Sequence, residues 1–316
     1  MDDPEILVIR QKIHGTNGSV YGAALRERLP DCEITVASTP AEERDALPTA
    51  EIVTGPALDD SQLQLADELE LFACVYAGTG HLDLDTFEQR GIAVTSASGV
   101  HTANIGEYAV GAMISMAQQF PLAYERTERR EWRSFPTREL HGSTAVVVGL
   151  GAIGRAIADR LDAFGMETVG VRYSPEKGGP TDEVLGFDEI HEAVAGAEYV
   201  VLACPLTDTT RGLIDEDVLL TMSADAALVN VARGPVVETD ALLAALQENR
   251  LGGAWLDVTD PEPLPDDHPL WGMGNVVVTP HNAGDTPEYF ARRADILTEN
   301  VKHLRNGDSE LRNQVA

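Results

Sequence analysis

Two series of short apolar runs, with helix-patterned stretches between them, organise this chain. The first series is Ile6–Ile9, Ile34–Val36, Ile52–Val53, Leu71–Val75 and Ile92–Val94. Buried strands alternating with helices predict parallel βαβ units. The second series is Ala145–Val148, Thr168–Val171, Tyr199–Ala203, Ala227–Val231, Ala254–Asp257 and Val276–Thr279. Six such strands with helices between them predict an open, doubly wound parallel sheet. Ala103–Gln119 separates the series and reads as a long, mostly apolar helix able to bridge two domains. Glu125–Glu139 is charged and carries Trp132 and Phe135, which fits a solvated helix or an arm that meets a partner. Pro287–Arg305 reads as one helix with Gly307 near its end, and Asp260–Asp267, rich in Pro and Asp, as a loop.

The run Thr144–Gly154 ends its strand in a G-x-G-x-x-G turn made by Gly149, Gly151 and Gly154, and Arg155–Leu161 continues as a helix. Gly149 permits the tight turn, Gly151 lets backbone approach a pyrophosphate, and Gly154 lets helix and strand pack closely. The helix N-terminus offers free N–H groups and a positive dipole end to the phosphates. The motif is weak alone and much stronger between a strand and a helix. Its mid-chain position predicts that another domain, the substrate-holding one, folds from the residues before it.

Charge changes the picture next. There are 52 acidic and 23 basic residues, a formal net charge of −29, and the only lysines are Lys12, Lys177 and Lys302. Such a chain repels nucleic acid and itself. In molar salt the Debye length falls to about 3 Å and the repulsion largely disappears. The composition resembles that of proteins from salt-accumulating halophiles. No apolar run reaches the length of a membrane span. The acidic start Met1–Glu5 lacks the features of a signal peptide. Cys32, Cys74 and Cys204 are widely spaced in apolar contexts, so a reduced, cytoplasmic protein is expected. No His/Cys cluster has zinc spacing, and neither an EF-hand loop, a P-loop nor a G-x-S-x-G elbow is present.

Three charged residues stand at ends of strands in the second series, where open α/β sheets bind their ligands. Arg233 follows Val229–Ala232, Glu262 lies in the loop after Leu256–Asp257, and His281 follows Val278–Pro280. Singly, these are an ion-pair partner, a solvated loop residue and a structural imidazole. Together behind a dinucleotide fingerprint they make a coherent acid–base site.

Five segments in order, Gly149–Gly154, Pro205–Arg211, Asn230–Gly234, Leu256–Leu264 and Thr279–Gly284, resemble the NAD(P)-dependent D-2-hydroxyacid dehydrogenases. Gly78–Gly80 with Asp83 resembles, more weakly, that family's glycine-rich substrate loop. The charge makes a haloarchaeal member the expectation. The resemblance implies a Rossmann dinucleotide-binding domain over residues 101–283. It also implies a smaller flavodoxin-like α/β substrate domain over residues 1–100, completed by 284–316, with the active site in the cleft between them. It implies the catalytic set Arg233, Glu262 and His281, and reversible hydride transfer between NAD(P)H and 2-oxo acids to give D-2-hydroxy acids. His281 would give the carbonyl oxygen its proton, and Glu262 would favour the imidazolium. The planar fork of Arg233 would hold the substrate carboxylate. Ala77, Gly78, Thr79 and Gly80 would add backbone N–H groups in a glycine-permitted nest.

The cofactor-binding positions expected on the same grounds are Gly149, Gly151, Ala152, Ile153, Gly154, Arg172, Tyr173, Ser174, Pro205, Thr210, Ala232 and Asp257. Asp257 matches a position near the nicotinamide carboxamide and could equally cap local backbone. Where NAD binders carry an acid for the ribose hydroxyl, this chain reads Val171-Arg-Tyr-Ser174. An acid there repels a 2′-phosphate, whereas Arg172 and Ser174 can bind one. NADPH is therefore expected over NADH, with NADH usable. A homodimer through the dinucleotide domain is expected, with no nucleic-acid, membrane or metal partner. A narrower glyoxylate/hydroxypyruvate reductase, a phosphoglycerate dehydrogenase and a dinucleotide-sensing corepressor of the same fold are the alternatives.

Overall fold

The computed structural model describes residues 3–10, 12, 13, 16–308 and 310–316, with only the backbone of 12, 13, 16 and 17. Met1 and Asp2 of the acidic start, and the side chain of Lys12, lie outside the described residues. The chain divides into two compact units, Met1–His101 with Asp285–Ala316, and Thr102–Gly284.

The main sheet of the first unit has five strands, β1 (Ile6–Val8), β2 (Ile34–Val36), β3 (Ile52–Gly55), β4 (Leu71–Cys74) and β5 (Ala93–Thr95). They pair in the order β2-β1-β3-β4-β5, all parallel. This is the flavodoxin-like order. Alternate residues feed opposite faces of the sheet: Leu7, Val53 and Phe72 pack in one core, Ile6, Val8, Ile52 and Leu71 in the other. The C-terminal helix Tyr289–Asn306 lies in this unit and places Ala294, Leu297 and Val301 in the second of those cores. Gly307 ends it in a left-handed cap at φ 75°.

The second unit carries seven strands: β6 (Thr144–Val148), β7 (Glu167–Val171), β8 (Glu183–Leu185), β9 (Tyr199–Leu202), β10 (Ala227–Asn230), β11 (Gly253–Leu256) and β12 (Val276–Val278). Their order is β8-β7-β6-β9-β10-β11-β12, again all parallel. The order reverses between β6 and β9, which is the switch point of a Rossmann sheet and the place where such sheets bind ligands. Val146, Val148, Val200 and Leu202 face one core, and Ala145, Val147, Tyr199 and Val201 the other. Each fully buried Val or Leu contributes about 1.5–3 kcal/mol, so this period of two fixes the register of the central strands. The strand β8 is absent from the six predicted above. It has three residues at the sheet edge, graded from exposed Glu183 to buried Leu185, too short for its alternation to register.

The segment Glu125–Glu139 differs from a continuous helix. A helix covers Phe120–Arg129 and stops at Arg130, which is left-handed at φ 58°. Residues 131–139 have no regular structure, and Trp132 is fully exposed. Phe135 is held under Arg126, whose guanidinium carbon lies 5.0 Å from the ring centroid while its Nη1 donates to the carbonyls of Arg133 and Ser134. No helix of the described residues is long and apolar enough to cross a membrane.

Candidate active site

The strand β6 runs into Gly149, left-handed at φ 99°, where a Cβ would stand 2.6 Å from the Cys204 backbone. A Cβ on Gly154 would meet the Gly149 carbonyl at 1.8 Å, whereas one on Gly151 would meet nothing within 4 Å. Two of the glycines are thus required by packing, and the third faces open space. Gly151 is the N-cap of the helix Ala152–Ala163 and supplies no side-chain cap. The first-turn N–H groups, those of Ala152, Ile153 and Gly154, therefore keep their capacity for a phosphate.

A cleft of about 520 Å³ opens beside this turn. Of the predicted cofactor residues, Gly149, Gly151, Arg172, Tyr173, Ser174, Pro205 and Thr210 line it. Arg172 reaches across the following loop and donates from Nη1 to the Gly178 carbonyl at 2.6 Å. Thr210 is only 1 % exposed, and its hydroxyl donates to the Pro205 carbonyl at 2.6 Å while accepting from the Thr207 N–H at 2.8 Å. Its side chain shapes the loop that forms the wall. Lys177 also lines the cleft and was missed. The signal was available, since it is one of only three lysines and stands five residues after Arg172. The cleft thus joins a glycine turn open to a phosphate with two cationic side chains, Arg172 and Lys177, which fits a dinucleotide.

The three proposed catalytic residues leave successive strands β10, β11 and β12. Arg233 is exposed, and its Nη1 donates to the Ala232 carbonyl at 2.6 Å. The turn beneath it is clamped by buried Asn230, whose Oδ1 accepts from the Ala232 N–H at 3.0 Å and whose Nδ2 donates to the Arg233 carbonyl at 3.2 Å. A Cβ on the next residue, Gly234, would lie 1.9 Å from the Thr259 carbonyl oxygen. Only glycine lets this turn press against the loop that carries Glu262. There Glu262 Oε1 lies 2.6 Å from Nδ1 of His281, both side chains being nearly half exposed. His281 itself has a left-handed backbone at φ 53°, which costs a non-glycine residue roughly 1–2 kcal/mol.

Asp257 compensates for that cost. It is 2 % exposed. Its carboxylate accepts from the Thr279 hydroxyl at 2.8 Å and from the N–H groups of Asn282 and Ala283 at 3.0 and 2.9 Å. Its carbonyl accepts from the His281 N–H at 2.9 Å. Of the two roles open to Asp257, capping of local backbone is the one this geometry shows: three donors meet its buried oxygens. Ala232, 4 % exposed, likewise sits in the clamped turn below Arg233.

Ala77, Gly78, Thr79 and Gly80 lie in the other unit, on the mostly exposed stretch after β4. Neither glycine takes a left-handed φ, and a Cβ on either would meet nothing within 4 Å. A nest of the αR–αL kind is therefore not present, which leaves N–H groups in a turn conformation as the form the expectation can take. Assignment of this loop to substrate rests on its glycine pattern alone. No group of three His, Cys, Asp or Glu placed to hold a metal occurs among the described residues.

With this geometry in hand, residues 110–283 match the family model described as D-isomer specific 2-hydroxyacid dehydrogenase, NAD binding domain. The chain belongs to that family. A glyoxylate reductase of Thermofilum pendens is 34% identical over 79% of this chain and 76% of its own length. A D-3-phosphoglycerate dehydrogenase of Methanocaldococcus jannaschii is 30% identical over 89% of this chain, which spans only 55% of that relative. Among solved structures, a D-isomer specific 2-hydroxyacid dehydrogenase from Xanthobacter autotrophicus Py2, in complex with NADPH, superposes with a TM-score of 0.81. It has 26% identity and covers 99% of this chain and 98% of that one.

Proposed function

We propose that this chain reduces 2-oxo acids to D-2-hydroxy acids with NADPH, and runs the reverse oxidation with NADP. The observation that carries the proposal is the 2.6 Å pair between His281 Nδ1 and Glu262 Oε1 at the strand ends beside Arg233. Reduction of a carbonyl needs a hydride on carbon and a proton on oxygen. The bound nicotinamide supplies the hydride. Glu262 accepts the hydrogen bond from Nδ1–H, and His281 Nε2 is the atom that gives the proton to the carbonyl oxygen, or takes it back in oxidation. The guanidinium of Arg233 holds the carboxylate of the 2-oxo acid bidentately.

The dinucleotide is held by the turn Gly149–Gly154, with its phosphates at the first-turn N–H groups. Arg172 and Lys177 meet the 2′-phosphate, and Ser174 adds a neutral bond. The NADPH carried by the Xanthobacter relative supports the preference. The Thermofilum relative, a glyoxylate reductase, favours small 2-oxo acids such as glyoxylate as a narrower reading. A dimer through the second unit, built around Trp132, and function in molar salt inside the cytoplasm complete the proposal.

The test is NADPH consumption by purified protein in molar salt with a panel from glyoxylate to branched and aromatic 2-oxo acids. A dinucleotide sensor would bind NADPH without turning any of them over. His281→Ala should lower kcat by about 10²–10⁴ and leave NADPH affinity unchanged. Near-normal turnover by that variant refutes the assignment.

A further inference from the structure

A chain of side chains from three elements ends beneath His281. The indole N–H of Trp255, on β11, donates to the Tyr108 hydroxyl at 2.8 Å. Tyr108, on the helix Thr102–Ala117, is hydrogen-bonded in turn to the Thr279 hydroxyl just after β12. Thr279 reaches Asp257 at 2.8 Å. The direction of each bond is forced. An indole N–H only donates and a carboxylate only accepts. Tyr108 therefore receives from Trp255 and gives its single proton to Thr279, which gives its own to Asp257. Burial pushes the Tyr108 phenol up, so it keeps the proton it must donate.

Asp257 is where the chain meets the catalytic turn. The same Oδ1 that accepts from Thr279 accepts from the Asn282 N–H, and Oδ2 accepts from Ala283. The intervening His281 donates its own N–H to the carbonyls of Asp257 and Thr279. A left-handed residue flanked this way is held only while its surroundings determine it. A second arm comes from the same helix: Asn104, one turn before Tyr108, donates from Nδ2 to the Ala283 carbonyl at 2.7 Å.

We propose that the Tyr108 hydroxyl is a positioning group for His281, acting through Thr279 and Asp257 to hold the turn on which the imidazole stands. This rests on the reading of His281 as proton donor. Tyr108 touches neither substrate nor cofactor in this role. A ring that merely filled space would do its work through its edge-on contact with Trp255, whose centroid lies 6.3 Å away, and phenylalanine would replace it.

The experiment compares Tyr108→Phe, Thr279→Val and the double variant in steady state, with His281→Ala alongside. Tyr108→Phe keeps the ring and loses the proton. Its kcat should fall roughly five- to twentyfold, since small misplacements of a proton donor are costly. KM for the 2-oxo acid and NADPH affinity should stay within about twofold, because the Tyr108 hydroxyl itself contacts neither ligand in this role. Thr279→Val should do the same, and the double variant should be no worse than the poorer single one, the mark of groups acting in series. A wild-type kcat in Tyr108→Phe, or losses that multiply in the double variant, overturns the proposal. If Tyr108→Phe does not fold, Trp255→Phe and Thr279→Val complete the same cycle from the other end. If His281→Ala keeps its turnover, the parent reading is what fails. If His281→Ala is inactive while Tyr108→Phe is normal, only the positioning role fails.

Discussion

His281 Nδ1 faces Glu262 Oε1 at 2.6 Å, and because a carboxylate only accepts, the hydrogen between them belongs to the imidazole. The proton available for chemistry is therefore on Nε2, and only in the imidazolium. Reduction draws on that charged form and oxidation on the neutral one. The two directions therefore share one residue, and His281→Ala should impair both. Glu262→Gln can still accept the Nδ1 hydrogen but carries no charge to favour the imidazolium. Its kcat for reduction should fall about ten- to hundredfold, read in steady state. A wild-type kcat in Glu262→Gln would argue that Glu262 orients the ring and does nothing more.

The backbone of His281 supports a separate prediction, on stability. At φ 53° asparagine is tolerated where alanine is not. His281→Asn should be more stable than His281→Ala by about 1 kcal/mol, read as a difference in denaturant midpoint at constant slope. Both variants lose the proton donor, so the difference reports the backbone alone. Equal midpoints would mean that the hydrogen bonds of Asp257 leave no net strain at this residue.

The strands carrying Gly149, Arg233, Glu262 and His281 could be read from the chain because each is a run of buried apolar residues broken by a residue of special geometry. The segment 131–139 was harder, since its charge is as compatible with a helix as with an extended arm, and Arg130 supplies the stop. The nest at Gly78–Gly80 was inferred from glycine alone, and glycine permits a left-handed conformation without imposing it. Asp257 offered two roles, and the choice between them needed the turn at 281–283 folded over it. The pairing of Tyr108 with Trp255 joins residues 147 apart in sequence, and no local pattern encodes such a contact. Lys177 carried a signal, its rarity and its place five residues after Arg172, but a lysine in a loop ordinarily signifies solvent, and only the cleft gives it a place.

Cys204 sits against the Gly149 turn, 3 % exposed, and burial pushes its thiol up to about 11. At pH 8 only about one molecule in a thousand carries the thiolate, and the thiolate is the nucleophile. Alkylation by iodoacetamide at pH 8 should leave Cys204 unmodified in the folded protein over the time that denatured protein reacts completely. Mass spectrometry of the peptide containing it provides the measurement. Rapid labelling of folded protein would show that the strand end opens, contrary to its packing.

A net charge of −29 makes a further demand. At molar ionic strength the screening length is about 3 Å, and at 0.1 M it is about 10 Å. The self-repulsion of the folded chain therefore grows on dilution. Stability to denaturant should rise continuously with potassium chloride from 0.1 to 3 M, and activity should decay within hours in dilute buffer. Full activity retained overnight at 0.1 M salt would remove the case for a salt-dependent protein.

The cofactor cleft gives the most discriminating prediction. The glycine turn serves both dinucleotides alike, so the expected preference must arise at Arg172, Ser174 and Lys177, which line the same cleft. Arg172→Asp should reverse the preference by repelling the 2′-phosphate and accepting from a ribose hydroxyl. That variant alone is ambiguous, because Arg172 also ties the loop through the Gly178 carbonyl at 2.6 Å, and a loosened loop would weaken both cofactors. Lys177→Ala separates the two effects. It should weaken NADPH about three- to tenfold, the yield of one charge-assisted contact at high salt, and change NADH less than twofold. Saturation curves for both cofactors on wild type and the two variants decide the matter. Wild type should favour NADPH by about 1–2 kcal/mol, or roughly ten- to thirtyfold. If it favours NADH, or if Lys177→Ala weakens both cofactors equally, then Arg172 and Lys177 serve the loop and not the phosphate, and the NADPH assignment falls.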